Sequence, residues 1–133
     1  MSVEDTLNRN LDLTQFEQSE LSKYDKIYTV GEIRINKQKE VCDKEGFYDA
    51  KIGEQIGYRY KVLSVIETGV FGRVLKCLDE KEGIEVAVKL SKNTREEQHY
   101  ALHESNLLKK IQIRSDDPNK NGIVKMLDSF TFH

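Results

Sequence analysis

Ile66-Glu67-Thr68-Gly69-Val70-Phe71-Gly72-Arg73-Val74, followed after a short interval by Val86-Ala87-Val88-Lys89, decides how this chain folds. Two glycines three positions apart, between stretches rich in branched aliphatic residues, read as a tight turn joining two strands. Tyr60, Val62 and Val65 or Ile66 mark the strand before the turn, and Arg73 to Leu78 the strand after it. Asp79-Glu80-Lys81-Glu82-Gly83 is a polar connection in which Gly83 is free to take positive φ. Glu85 to Leu90, with β-branched Val86 and Val88, is the third strand. Three strands joined by short turns predict an antiparallel meander.

A helix is expected next, because Thr94-Arg95-Glu96-Glu97 has the Thr-x-x-Glu form that satisfies the free amides of a first helical turn. Leu107, Leu108 and Ile111 fall three, four and seven residues after Glu104, so a carboxylate shares one helical face with an apolar stripe. Residues 114–122 are rich in Asp, Asn, Pro and Gly and read as a loop. Ile123 to Phe132 reads as a further strand. On the amino-terminal side the apolar runs are short and acidic residues outnumber basic ones. Leu13 to Tyr24 suggests a helix through Phe16, Leu21 and Tyr24, but residues 1–44 as a whole are expected to be a flexible acidic extension. The folded unit is placed at 45–133.

Composition narrows the class. A chain of 133 residues holds one domain of ordinary size. A third of its residues are charged, yet the net charge is only −2, which gives no bulk attraction to nucleic acid or to a membrane surface. The start, MSVEDTLNRN, lacks the basic and apolar regions of a secretory signal, and no run approaches the length of a membrane span. Cys42 and Cys77 stand far apart without a Cys-x-x-Cys or Cys/His cluster, which favours free thiols in a reducing, intracellular compartment over a disulfide or zinc.

Glycine hairpin, strand lysine and helix carboxylate make a set whose parts each suit a nucleoside triphosphate. Gly69 and Gly72 let backbone amides approach phosphate oxygens with no Cβ in the way. Lys89 supplies a point charge for the α and β phosphates, and Glu104 would hold that ammonium in place. Val74 and Ala87 are small enough to leave a slot for a flat purine, with Ile66 and Val70 at its margin. Val74 to Lys89 and Lys89 to Glu104 are both fifteen positions, suited first to two hairpin strands and then to a short loop with about three helical turns. Singly, each feature has a bland reading: a turn, an exposed strand end, a solvated helix edge. The order and spacing of all three favour the nucleotide. His99 and His103 lie four apart on the helix, but without a third ligand they read as a solvent-facing pair. Lys109-Lys110 reads as a solvated helix end complementing the helix dipole. Tyr48, Tyr58 and Tyr60 read as packing residues rather than sites of phosphorylation.

From about residue 43 to 133 the sequence resembles the amino-terminal lobe of eukaryotic protein kinases. The resemblance rests on Thr68-Gly69-Val70-Phe71, Glu85-Val86-Ala87-Val88-Lys89 and Glu104. Within that group it is similar to the CMGC kinases, near the dual-specificity tyrosine-regulated branch. With Glu45-Gly46-Phe47-Tyr48, Ile52-Gly53-Glu54, Arg59-Tyr60-Lys61-Val62 and the loop at Asp117-Pro118, it looks nearest to the pre-mRNA-splicing kinases of the tri-snRNP. The resemblance implies an α+β lobe: a twisted antiparallel sheet, one regulatory helix, and no carboxyl-terminal lobe in this chain. It also implies ATP with Mg²⁺ as cofactor, transfer to protein Ser or Thr, spliceosomal partners and a nuclear setting. Direct nucleic-acid contact and membrane attachment are not expected.

Two departures qualify what is carried over. Glu67 stands where the kinase loop has its first glycine, and a carboxylate there would repel phosphate if it faced inward. The hinge and the H-R-D-x-x-x-x-N, D-F-G and A-P-E motifs are not in this sequence. The proton-accepting Asp and the main Mg²⁺ ligand come from those motifs, so no metal ligand is assigned here. The chain alone is expected not to transfer phosphoryl groups, and protein substrates would require a carboxyl-terminal lobe. An alternative is a non-catalytic binding module derived from a kinase lobe that associates with a kinase or a splicing partner. A third reading is a small nucleotide-binding protein without transferase activity.

Overall fold

The computed structural model describes residues 2, 15–24, 26–28, 42–114 and 122–131. Its centre is a four-stranded antiparallel sheet of β1 (Gln55–Ile56), β2 (Tyr60–Gly69), β3 (Gly72–Asp79) and β4 (Ile84–Ser91), neighbours in that order. The expected meander is present as β2, β3 and β4. The glycine hairpin is tighter than read from sequence: Gly69 pairs directly with Gly72, leaving Val70 and Phe71 as the turn. Gly72 has φ 147°, and a Cβ there would lie 1.9 Å from the carbonyl oxygen of Leu90, so any other residue would have to move the backbone. Gly83 takes positive φ as expected.

One sheet face carries the core. Val62, Leu75 and Cys77 are fully buried with Ile56, and Tyr48, Tyr60 and Leu90 close the cluster. Burial pushes the Cys77 thiol up to about 11, and Cys77 and Cys42 are both free. At the sheet corner Arg59 donates from Nε and Nη2 to the two carboxylate oxygens of Asp79, at 2.8 and 2.6 Å. The same carboxylate receives the Lys81 amide, capping the β3–β4 turn.

The three tyrosines are packing residues, and each gives its hydroxyl to a carboxylate: Tyr48 to Glu54, Tyr58 to Glu20 and Tyr60 to Asp128. α1 spans Gln15–Leu21 and ends before the Tyr24 expected, while Leu13 and Thr14 lie outside the described residues. Leu21 and Ile27 are fully buried, and the Tyr28 amide donates to the Tyr58 carbonyl. Glu20, Tyr24 and Tyr28 therefore meet the folded unit at Tyr58, in the turn between β1 and β2. The remainder of the 1–44 expectation lies outside the described residues.

α2 spans Arg95–Arg114. Thr94 Oγ1 receives the Glu97 amide at 3.3 Å, which is the cap read from the sequence. Its apolar stripe is shallower than expected: Leu108 and Ile111 are half-buried, Leu107 is exposed, and no described residue of α2 is buried.

The strand expected over Ile123–Phe132 is not formed: residues 122–131 belong to no strand, and Phe132 lies outside the described residues. The backbone groups of Met126 pair with the side-chain amide of Gln112 instead of a neighbouring strand. Further along, the ring of Phe130 stacks on Tyr60. The fourth strand of the sheet is β1, two residues whose partner is Tyr60–Lys61.

Candidate functional site

Register on β2, β3 and β4 assembles one face. Val74 lies directly opposite Lys89 on β4 and opposite Glu67 on β2, and directly opposed residues project to the same side of a sheet. Ala87, two positions before Lys89, shares that face and is exposed; Val74 is half-buried. Ile66 sits at a register shift in β2, and it and Val70 are 58% and 84% exposed, open on the outer side of the hairpin. Gly69 and Gly72 bracket the turn above this face.

Lys89 is held from two directions. Its Nζ lies 2.8 Å from Glu104 Oε2 on α2, which joins the sheet to the helix. The Phe71 ring lies under the same ammonium, 4.8 Å from Nζ to the ring centroid. Phe71 reaches that position because Gly69 has no side chain: a Cβ there would come within 2.5 Å of the ring. The Phe71 carbonyl also receives the Lys92 amide at 3.0 Å, pinning the turn to the end of β4. In the sequence Phe71 stands only as part of a motif. Its contact with Lys89 depends on how the turn closes, and spacing does not report that.

Glu67 shares the face of Lys89, so the register sets a second carboxylate on the side of the strand lysine. His99 and His103 have no companion ligands: no group of three His, Cys, Asp or Glu that could hold a metal occurs among the described residues. An open depression of about 600 Å³ lies elsewhere, between Cys42–Gly46 and Asn93–Thr94, and none of the residues read as nucleotide-binding lines it. No helix among the described residues is long and apolar enough to cross a membrane.

A glycine hairpin, a lysine on the third long strand and a helix glutamate paired with it form the arrangement that the sequence reading associated with protein kinases. Comparison with characterised proteins agrees. The chain is 34% identical over 131 residues to the DYRK-family kinase pom1 of Schizosaccharomyces pombe, covering 90% of this chain and 12% of that kinase. It is 34% identical over 129 residues to human dual specificity tyrosine-phosphorylation-regulated kinase 4, covering 90% of this chain and 24% of the relative. Mouse dual specificity protein kinase CLK2 matches at 38% over 92 residues, or 68% of this chain and 18% of CLK2. The chain is similar to a part of the DYRK and CLK kinases and has the fold of a protein kinase amino-terminal lobe. No protein-family model matches it. It spans an eighth to a quarter of the length of these relatives. The sheet and α2 thus correspond to a kinase amino-terminal lobe, and the DYRK- and CLK-like matches fit the CMGC resemblance.

Proposed function

We propose that this kinase-derived lobe binds the phosphates of ATP and, joined to a carboxyl-terminal lobe, presents them for transfer to protein Ser or Thr. The observation that carries the reading is the 2.8 Å contact between Lys89 Nζ and Glu104 Oε2, which brings a strand lysine and a helix carboxylate together beside the glycine turn. The available residues suit a nucleotide: the tip of the glycine turn is open at Val70, Val74 and Ala87 present small apolar surface, and Lys89 offers a cation. ATP would supply the transferable phosphoryl group and its accompanying Mg²⁺. Lys89 would take the α and β phosphates, Glu104 would orient Lys89, and Val74, Ala87, Ile66 and Val70 would border the base. In this reading the chain alone does not catalyse transfer, because the residues that activate the acceptor and hold the metal belong to a second lobe. Spliceosomal substrates and a nuclear setting follow from the sequence resemblance and form the outer part of the proposal.

The test is titration of the chain with ATP and with ATP–Mg²⁺, comparing the unaltered protein with Lys89→Ala. Affinity should drop at least tenfold in the variant, because the loss of a charge-assisted phosphate contact is worth about 1.5–3 kcal/mol. Binding that survives Lys89→Ala unchanged would overturn the clamp. Glu67→Gly removes a carboxylate from the phosphate face and should tighten binding severalfold.

A second reading, a non-catalytic binding module, is favoured by one feature. α2 has no buried residue, and Tyr100, Leu102, Leu107 and Ile113 are exposed along it. A stable stoichiometric complex with a kinase or splicing factor that persists in Lys89→Ala would support that reading.

A further inference from the structure

Most helices are fixed to a sheet by burying an apolar face, and α2 is not. Over Arg95–Arg114 no described residue is buried, although the helix is ~30 Å long by its rise per residue. Beside the half-buried Leu108 and Ile111, its attachments are polar and come in three places. At the start, the Asn93 amide donates to the Gly46 carbonyl at 2.8 Å, and Gln98 Nε2 donates to Asn93 Oδ1 at 2.8 Å. In the middle is the Lys89–Glu104 pair. Near the end, Gln112 Nε2 donates to the Met126 carbonyl at 3.0 Å while the Met126 amide donates to Gln112 Oε1.

This last contact is two-sided, so it fixes direction as well as distance. The segment holding Met126 is itself tied to the far corner of the sheet. Asp128 Oδ2 receives the Tyr60 hydroxyl at 3.0 Å and lies 3.7 Å from Arg59 Nη1, and Phe130 stacks on Tyr60 with centroids 5.6 Å apart. A closed path therefore runs from Tyr60 through Asp128, Met126 and Gln112 along α2 to Glu104, and back to the sheet at Lys89. Gln112 lies eight residues beyond Glu104, ~12 Å along the helix. With little buried surface to fix the helix, the end tether sets where Glu104 falls.

We infer that Gln112 is a positioning residue: its side-chain amide clamps the backbone of Met126 and so holds α2 where Glu104 meets Lys89. This rests on the nucleotide reading for its purpose, but not for its test. A zero-length carbodiimide joins amines and carboxylates already in contact, so treating the full chain and digesting it reads the Lys89–Glu104 pair without nucleotide. The Lys76–Glu85 pair, at 2.7 Å within the sheet, is the internal standard.

Gln112→Ala should lower the Lys89–Glu104 product about fivefold relative to Lys76–Glu85, as expected for loss of a two-bond clamp. Met126→Pro removes the amide donor from the opposite side and should give the same drop, so the test holds if one variant fails to fold. Combining the two should add nothing further. Gln112→Glu keeps the acceptor for the Met126 amide and should recover part of the yield, which a general loss of stability would not. An unchanged ratio in either folded single variant overturns the inference, as does a drop shared equally by Lys76–Glu85. A chain that shows the expected crosslinking pattern but binds no ATP refutes the nucleotide reading and leaves the role of Gln112 standing. ATP binding with an unaltered ratio does the reverse.

Discussion

The sheet and the long helix of this lobe are held together by different physics. Across β2 and β3, Val62, Leu75 and Cys77 have essentially no solvent exposure, and the Arg59–Asp79 pair seals the corner. α2 fully buries no described residue, half-buries Leu108 and Ile111, and makes its polar contacts through Asn93, Glu104 and Gln112. Burial is non-directional and hard to reverse, whereas a half-exposed hydrogen bond exchanges with water at little net cost. The sheet should therefore behave as a rigid floor, and the helix as an element whose position can be reset. The proposed lysine–glutamate pair spans the boundary between them.

The contrast breaks most easily at the core. Leu75→Ala should cost about 3 kcal/mol, the usual range for emptying a fully buried leucine site, while Leu107→Ala on α2 should cost under about 0.5 kcal/mol. Urea unfolding of both variants followed by circular dichroism measures the difference. Similar losses would mean that α2 is packed as firmly as the sheet.

The corner ion pair sharpens the same point. Hydrogen bonds from Arg59 hold the Asp79 carboxyl below the usual aspartate range, burial opposes this, and the Lys81 and Glu82 amides add to the lowering. A depressed folded value means stability that is present at neutral pH and lost as pH falls through that value. The unaltered chain should lose stability below about pH 4. Asp79→Asn should cost about 2–3 kcal/mol at pH 7, since the partly buried Arg59 loses its two close hydrogen bonds to a carboxylate and keeps only the longer contact with Asp128, and should flatten that acid limb. Thermal melts between pH 2 and 7 measure both effects. An acid limb of the same slope in the variant would assign it to other carboxylates.

How much of this was legible in the sequence follows the same division. The meander, the glycine turn, the Thr94 cap and the Lys89–Glu104 spacing are local patterns or fixed intervals, and strand and helix periods translate them into position. What spacing does not carry is which surface a segment finds. Residues 123–131 have the composition of a strand, yet Met126 meets a glutamine side chain and Phe130 meets Tyr60. Gln55–Ile56 is too short to show a period, and becomes a strand because Tyr60–Lys61 offers a free edge. Leu21 and Ile27 are isolated apolar residues in an acidic stretch, and their burial accompanies long-range contacts of Glu20 and Tyr28 with Tyr58 that spacing does not report. Phe71 was visible as a motif residue, but its place beneath Lys89 depends on closure of a two-residue turn.

A small stability change is expected at the proposed site itself. Lys89 and Glu104 are 45% and 50% exposed at the side chain, so water screens both and competes for their hydrogen bond. Pairs of this kind contribute about 0–1 kcal/mol. Glu104→Gln should therefore leave the urea midpoint nearly unchanged while freeing Lys89 to move, and should weaken ATP binding without unfolding the lobe. Measuring both on one preparation separates the two roles of the pair. A large stability loss would make it a structural staple and move α2 to the rigid side of the comparison. Unchanged stability with weakened nucleotide binding would mean that the contact serves geometry, which is what an exposed pair joining a fixed floor to a lightly held helix is suited to do.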